Sequence, residues 1–285
     1  MTERLDVKKT YKLFIGGAFP RSESGRSYPI PSAKNPIAHP AQASRKDLRE
    51  SVNAAHEAAS SWAGATAYNR SQILYRIAEI MEGRREQFVS EIIALTGVNR
   101  VKAAAEVSEA IDLWVWYAGW CDKIDSVSGS TNPVNGPYYN FSSYEPVGVV
   151  GIFAEEESAL LGIVRTLAPV LAGGNAALLI ASEKYPLPAI TLAEVFATSD
   201  VPKGVVNVLT GIRSELAPWL ASHMEVDAID ISGIGKSSAD MKLKSEIRLQ
   251  GVENLKRIFD HGVSTTPERI LSFMETKTVW HPIGI

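Results

Sequence analysis

The chain has 285 residues, of which 45% are apolar and 21% charged, enough for one large α/β domain or two smaller ones and too apolar for a disordered or fibrous protein. Lys plus Arg number 29 against 32 for Asp plus Glu, a net charge of -3 scattered along the chain, so no basic stripe marks a nucleic-acid partner. The one cysteine, Cys121, rules out an intramolecular disulfide framework and a Cys-rich zinc site, and suits a reducing compartment.

The polar opening MTERLDVKKTYK predicts no signal peptide, and a cytoplasmic location is expected. Residues 11 to 34 predict short strands around turns: Lys12 to Ile15, then Gly16-Gly17, then Ala18-Phe19, with Ser24-Gly25 a second turn. From Ser44 the periodicity becomes helical. Leu48, Val52, Ala55, Ala59 and Trp62 recur at steps of four and three, and Ser44 with Asp47 makes a capping box. A second helix is expected to open near Asn69, a third to end at Gly97, and a fourth to run from Arg100 to Ile124.

Turn residues from Ser128 to Pro137 lead into the aromatic run Tyr138 to Tyr144, an extended arm. Four short apolar runs follow at helix-length spacing: Val147 to Phe153, Ala176 to Ala181, Val205 to Leu209, and Val226 to Ile231. Strands alternating with helices in this way predict a parallel, doubly wound α/β sheet. The most apolar stretch, Ser158 to Ser182, is interrupted by Pro169 and by Gly173-Gly174-Asn175, so it predicts helix, turn and buried strand, with no membrane span. His39, His56, His223, His261 and His281 lack any short ligand spacing, and no metal site is expected.

Several blocks in order resemble the nicotinamide-binding part of the aldehyde dehydrogenase superfamily. They are Leu13-Phe14-Ile15-Gly16-Gly17, Asn35-Pro36, Tyr117-Ala118-Gly119-Trp120, Glu145-Pro146-Val147-Gly148-Val149-Val150-Gly151, Leu167-Ala168-Pro169, Ala172-Gly173-Gly174-Asn175, Ser182-Glu183, Val206 to Gly211, and Lys277-Thr278-Val279-Trp280. The resemblance implies a Rossmann-like domain from residues 1–131 and 146–262, and an oligomerisation arm from 132–145 and 263–285. Between Asn254 and Pro267 the chain passes from the family's Asn-Leu-Lys-Arg strand to its C-terminal arm. The family's catalytic domain, with its nucleophilic cysteine and glutamate base, is therefore expected to be absent.

No catalytic residue is assigned. Cys121, near the end of an amphipathic helix, is expected to be a semi-buried core residue. Where the family carries Pro-Trp-Asn this chain has Glu155-Glu156-Glu157; a carboxylate there repels the negative charge that a neutral amide stabilises. These acids are read as structural, placed in the first turn of a helix through its dipole, ahead of a metal or acid/base role.

The resemblance assigns a vestigial cofactor site to Ser182, Glu183, Gly211, Gly233 and Lys236. Glu183 is in register to accept from a ribose hydroxyl, but Ile180 replaces the family's lysine, and the pyrophosphate turn becomes Gly233-Ile234-Gly235-Lys236-Ser237-Ser238. These changes imply weak affinity for NAD or NADP. Backbone N–H groups and Lys236 still suit an anion, and a plain structural turn is an equal alternative. The P-loop pattern fails because it needs glycine where Asp230 stands.

The arm pieces, Tyr138 to Tyr144 and Phe273 to Trp280, imply strand edges in search of a neighbour. The expected partner is a full-length aldehyde dehydrogenase or another copy of the chain, with neither nucleic acid nor membrane involved. The layout resembles the non-catalytic second half of the tandem family-16 aldehyde dehydrogenases. The expected function is thus a catalytically inactive homologue acting as a structural or regulatory subunit. The alternatives are an NAD(P)-dependent aldehyde oxidoreductase and a nucleotide-binding sensor.

Overall fold

A computed structural model describes residues 8–32, 35–262 and 265–284. The polar residues 1–7 and the start of the second arm piece at 263–264 lie outside them. The segment after residue 10 forms isolated bridges, Ile15 with Ala18 around the Gly16-Gly17 turn, and Ser27 with Ala41. Phe14 pairs antiparallel with Val208, so this segment covers one edge of the main sheet.

Helix α1 spans Arg45–Ala63, and the Ser44–Asp47 capping box forms as expected. Asp47 also accepts from Ser22 Oγ (2.8 Å) and the Glu23 N–H (3.1 Å), tying the preceding loop to the helix start. Helix α2 (Ala67–Gly83) is capped by Thr66, and α3 (Arg85–Thr96) ends at Gly97. Helix α4 is shorter than its pattern implied. It covers Arg100–Ala118, after which the Trp120 and Cys121 N–H groups bond back three residues, tightening the chain into turns before α5 (Ile124–Ser128).

Strands β1 (Ser130–Asn132) and β2 (Tyr138–Pro146) lead into the central unit: β3 (Val149–Phe153), α6 (Leu161–Ala172), β4 (Ala176–Ile180), α7 (Leu187–Phe196), β5 (Val206–Leu209), α8 (Arg213–Ser222), β6 (Ala228–Asp230) and α9 (Ser238–Gly251). Then come β7 (Arg257–Phe259), the single turn α10 (Glu268–Leu271) and β8 (Met274–Pro282). The five parallel strands are ordered β5-β4-β3-β6-β7, with Val150 beside both Ala177 and Ala228.

Pleating sends alternate side chains to opposite faces. Val150, Ile152, Ala177 and Leu179 meet α6 and α7, backed by α2, α3 and α4. Val149, Phe153, Leu178 and Ile180 meet α1 and α8 on the other face. The expected doubly wound α/β sheet is thus observed. Helix α6 stops at Gly173, at the expected Gly173-Gly174-Asn175 turn, and runs through Pro169 because its turns are buried against β3, β4 and α4; tertiary packing outweighs the lost N–H. Among the described residues, no helix is long and apolar enough to cross a membrane.

A second sheet, antiparallel and ordered β1-β2-β8, stands apart from the first in hydrogen bonding. Nine residues of β2 pair with nine of β8, from Tyr138 opposite Pro282 to Pro146 opposite Met274. Its base is anchored by the Val147 N–H and Asn175 Nδ2, which both donate to Phe273 O.

Candidate functional site

In an open parallel sheet, ligands enter beyond the carboxyl ends of the strands, where the strand order reverses. Here the reversal lies between β3 and β6. The loops leaving them touch: a Cβ on Gly233 would lie 2.0 Å from Phe153 O, so only glycine fits that approach. Above this contact lies the Arg213 side chain, from the first residue of α8 and only 5% exposed. Its guanidinium donates to Ala154 O beyond β3 and sits 3.5 Å from Gly233 O beyond β6.

The charge on Arg213 is met by Glu156, with Arg213 Nη2 2.9 Å from Glu156 Oε1. Glu156 also accepts from Ser182 Oγ (2.6 Å), the Glu183 N–H (2.9 Å) and the Lys184 N–H (3.2 Å), all in the loop after β4. A carboxylate offers about four acceptor positions, and here they are all engaged. Burial pulls the Arg213 guanidinium down from its ordinary pKa, while Glu156 and Glu183 oppose that shift. Tyr28 lies beside the same carboxylates, and burial, with Glu183 and Glu156 adding to it, raises its phenol.

These positions revise the reading of Glu155-Glu156-Glu157 as a first helical turn. Helix α6 begins later, at Leu161, and the three side chains diverge. Glu155 is buried, its carboxyl raised above the usual range by desolvation despite Arg165 3.8 Å away. Glu156 crosses to the β4 loop, and Glu157 is exposed. The start of α6 is capped from another element: Glu106 Oε1 on α4 accepts from the Leu160 and Leu161 N–H groups and from Ser158 Oγ.

Of the five residues assigned from sequence, Ser182 and Glu183 bond within the chain at this crevice. Ser182 is buried, donating to Glu156 and accepting from the Tyr185 N–H at 2.8 Å. Glu183 Oε1 accepts from the Arg213 N–H at 2.7 Å, capping α8. Gly211 has φ +153° and backs onto the Ala43 N–H, where a Cβ would lie at 3.1 Å. Gly233 makes the close approach already described. Lys236 is exposed at the turn into α9. That helix start carries its own anion: Asp240 Oδ2 accepts from the Ser237 N–H and Oγ at 3.0 and 2.6 Å. Sequence reasoning missed Arg213. Its one signal is a cation just after the β5 turn, 57 residues from its carboxylate partner.

A cleft of about 480 Å³ beside the pair is lined by Glu156, Glu183, Asp240, Arg213 and Lys184, among others. As placed, these residues do not fit a dinucleotide. Four donors suited to hydroxyl or phosphate oxygens, Ser182 Oγ, the Glu183 and Lys184 N–H groups and the Arg213 guanidinium, are taken by Glu156, and three carboxylates line the cleft. Cys121 lies elsewhere, at the end of the α4 turns. It is buried, Sγ to Tyr117 O is 3.5 Å, and burial pushes the thiol up to about 12.

The profile of the aldehyde dehydrogenase family matches residues 21–253. A putative aldehyde dehydrogenase, DhaS, of Bacillus subtilis is 32% identical over 86% of this chain and 51% of its own length. Human retinal dehydrogenase 2 is 31% identical over 90% of this chain and 49% of its own. The solved NAD+ complex of an aldehyde dehydrogenase from Bacillus cereus superposes with a TM-score of 0.79 at 27% identity, covering 88% of this chain and 50% of that one. The chain thus spans about half the length of the relatives it matches.

Proposed function

The chain belongs to the aldehyde dehydrogenase family, and we propose that within it the chain serves as a non-catalytic structural or regulatory subunit of a full-length aldehyde dehydrogenase. The arrangement of the arm carries this reading. The chain leaves the parallel sheet at Phe259 and reaches the second arm strand at Met274, so the domain-sized catalytic insertion expected between them from the family resemblance has no room there. The arm itself is fully formed. In it β8 pairs with β2 on one side, and among the described residues its other side pairs with no strand. An edge of this kind is a template for a strand from another molecule.

Two features at residue level support the same reading. The one thiol of these 285 residues is buried and held protonated, whereas a nucleophile needs an accessible thiolate. Glutamates also stand where the family carries its oxyanion-stabilising Pro-Trp-Asn. The layout resembles the non-catalytic second half of the tandem family-16 enzymes, and the compartment proposed is the cytoplasm.

The test is native mass spectrometry of the tagged chain purified gently from its own cells. Co-purification with a full-length aldehyde dehydrogenase at fixed stoichiometry is expected. A bare monomer or homo-oligomer overturns the partner assignment, and purified chain that oxidises an aldehyde with NAD overturns the non-catalytic one.

A further inference from the structure

We infer that the crevice at the switch point is occupied by the chain's own Glu156–Arg213 pair, and that this internal occupant excludes a dinucleotide. The inference concerns the crevice alone and does not depend on the partner reading.

Glu156 sits as a bound anion would. One hydroxyl, two consecutive backbone N–H groups and a guanidinium converge on its carboxylate. That donor set is what a phosphate or an external carboxylate recruits. Arg213 in turn spans the loops after β3 and β6, which a ligand entering the sheet end has to part.

An arriving pyrophosphate therefore competes with a tethered carboxylate that is already in place and costs no translational entropy. The other anion-binding element of such a cleft, the start of α9, carries a carboxylate of its own. Asp240 holds the Ser237 N–H there, so negative charge already complements that end of the helix dipole.

Ser182, Glu183 and Gly233 then act together as the frame of an intramolecular latch. Ser182 and the Glu183 N–H grip Glu156, the Glu183 carboxylate fixes the backbone of Arg213, and Gly233 lets the two loops close.

Isothermal calorimetry with NAD and with ADP tests the inference on the whole chain and on Glu156→Ala and Glu156→Gln. The unaltered chain is expected to show no saturable binding. Glu156→Ala frees the donors and removes the ion-pair partner of Arg213, so it is expected to bind ADP at least about tenfold more tightly than the unaltered chain, with affinity falling as salt rises. Glu156→Gln, which keeps the shape and one acceptor oxygen, is expected to fall between.

Saturable NAD binding by the unaltered chain, or equal affinity across all three proteins, overturns the inference. Amide hydrogen exchange on the unaltered chain gives a readout independent of whether the variants fold. The Glu183 and Lys184 amides are expected to be protected, and exchange at the rate of open loop amides overturns the latch.

Discussion

Asp230 and Arg269 are 0% and 1% exposed and lie 2.8 Å apart, an ion pair removed from water. Asp230 also accepts from the Ser232 N–H, and Arg269 Nη1 donates to Gly262 O, so the pair joins the end of β6 to α10. Removing one partner of such a pair leaves a buried charge. Arg269→Met is expected to destabilise the chain by about 3–5 kcal/mol, with Asp230→Leu in the same molecule restoring most of the loss; urea unfolding of the single and double variants measures both. Cys121 makes a different prediction. With its thiol raised to about 12, almost no thiolate exists near neutral pH. Alkylation by iodoacetamide, followed by mass, is expected only once the chain unfolds, and rapid labelling of folded protein would contradict its burial.

Two helices start in contrasting ways. Helix α1 is capped from three residues away, Ser44 with Asp47, and that pattern is visible in the chain itself. Helix α6 is capped by Glu106, 54 residues before Leu160, where no local pattern points to it. The second cap serves two buried N–H groups and a hydroxyl, so Glu106→Ala is expected to cost about 2–3 kcal/mol against about 1 kcal/mol for Ser44→Ala. Equal costs in denaturant titrations would count against this ranking. The same division runs through the other elements. Helix starts, the stop at Gly97 and the four core strands were legible within a few residues, because propensity, capping and pleat alternation act locally. The end of α4 at Ala118 was not, because the turns that follow keep Cys121 and Ile124 in the core and so prolong the apolar pattern.

For the whole molecule, the two sheets divide the work: a buried parallel sheet holds the core and the crevice, and an antiparallel arm presents an edge. The arm offers aromatic surface beside that edge, with Tyr138 against Trp280 and Tyr139 against Phe141, while Val279 lies opposite Phe141 on β8. Val279→Asp puts a charge into this surface and is expected to release a partner docked on β8 while leaving the melting temperature of the isolated chain nearly unchanged. Size-exclusion chromatography with light scattering reads the first effect and calorimetry the second; a complex of unchanged mass would contradict the edge assignment.

By itself the sequence determined the doubly wound sheet, the order of its elements and the family, because apolar periodicity, turn residues and short motifs are each written within a few neighbouring residues. By resemblance it also singled out Ser182, Glu183, Gly211, Gly233 and Lys236 as a region for a cofactor. Only the tertiary structure decided what fills that region. Glu156 and Arg213 are 57 residues apart, one in the loop after β3 and the other at the start of α8 after β5, and the strand order brings them together. Their pairing depends on desolvation and on hydrogen-bond geometry at the sheet end, which no local pattern carries.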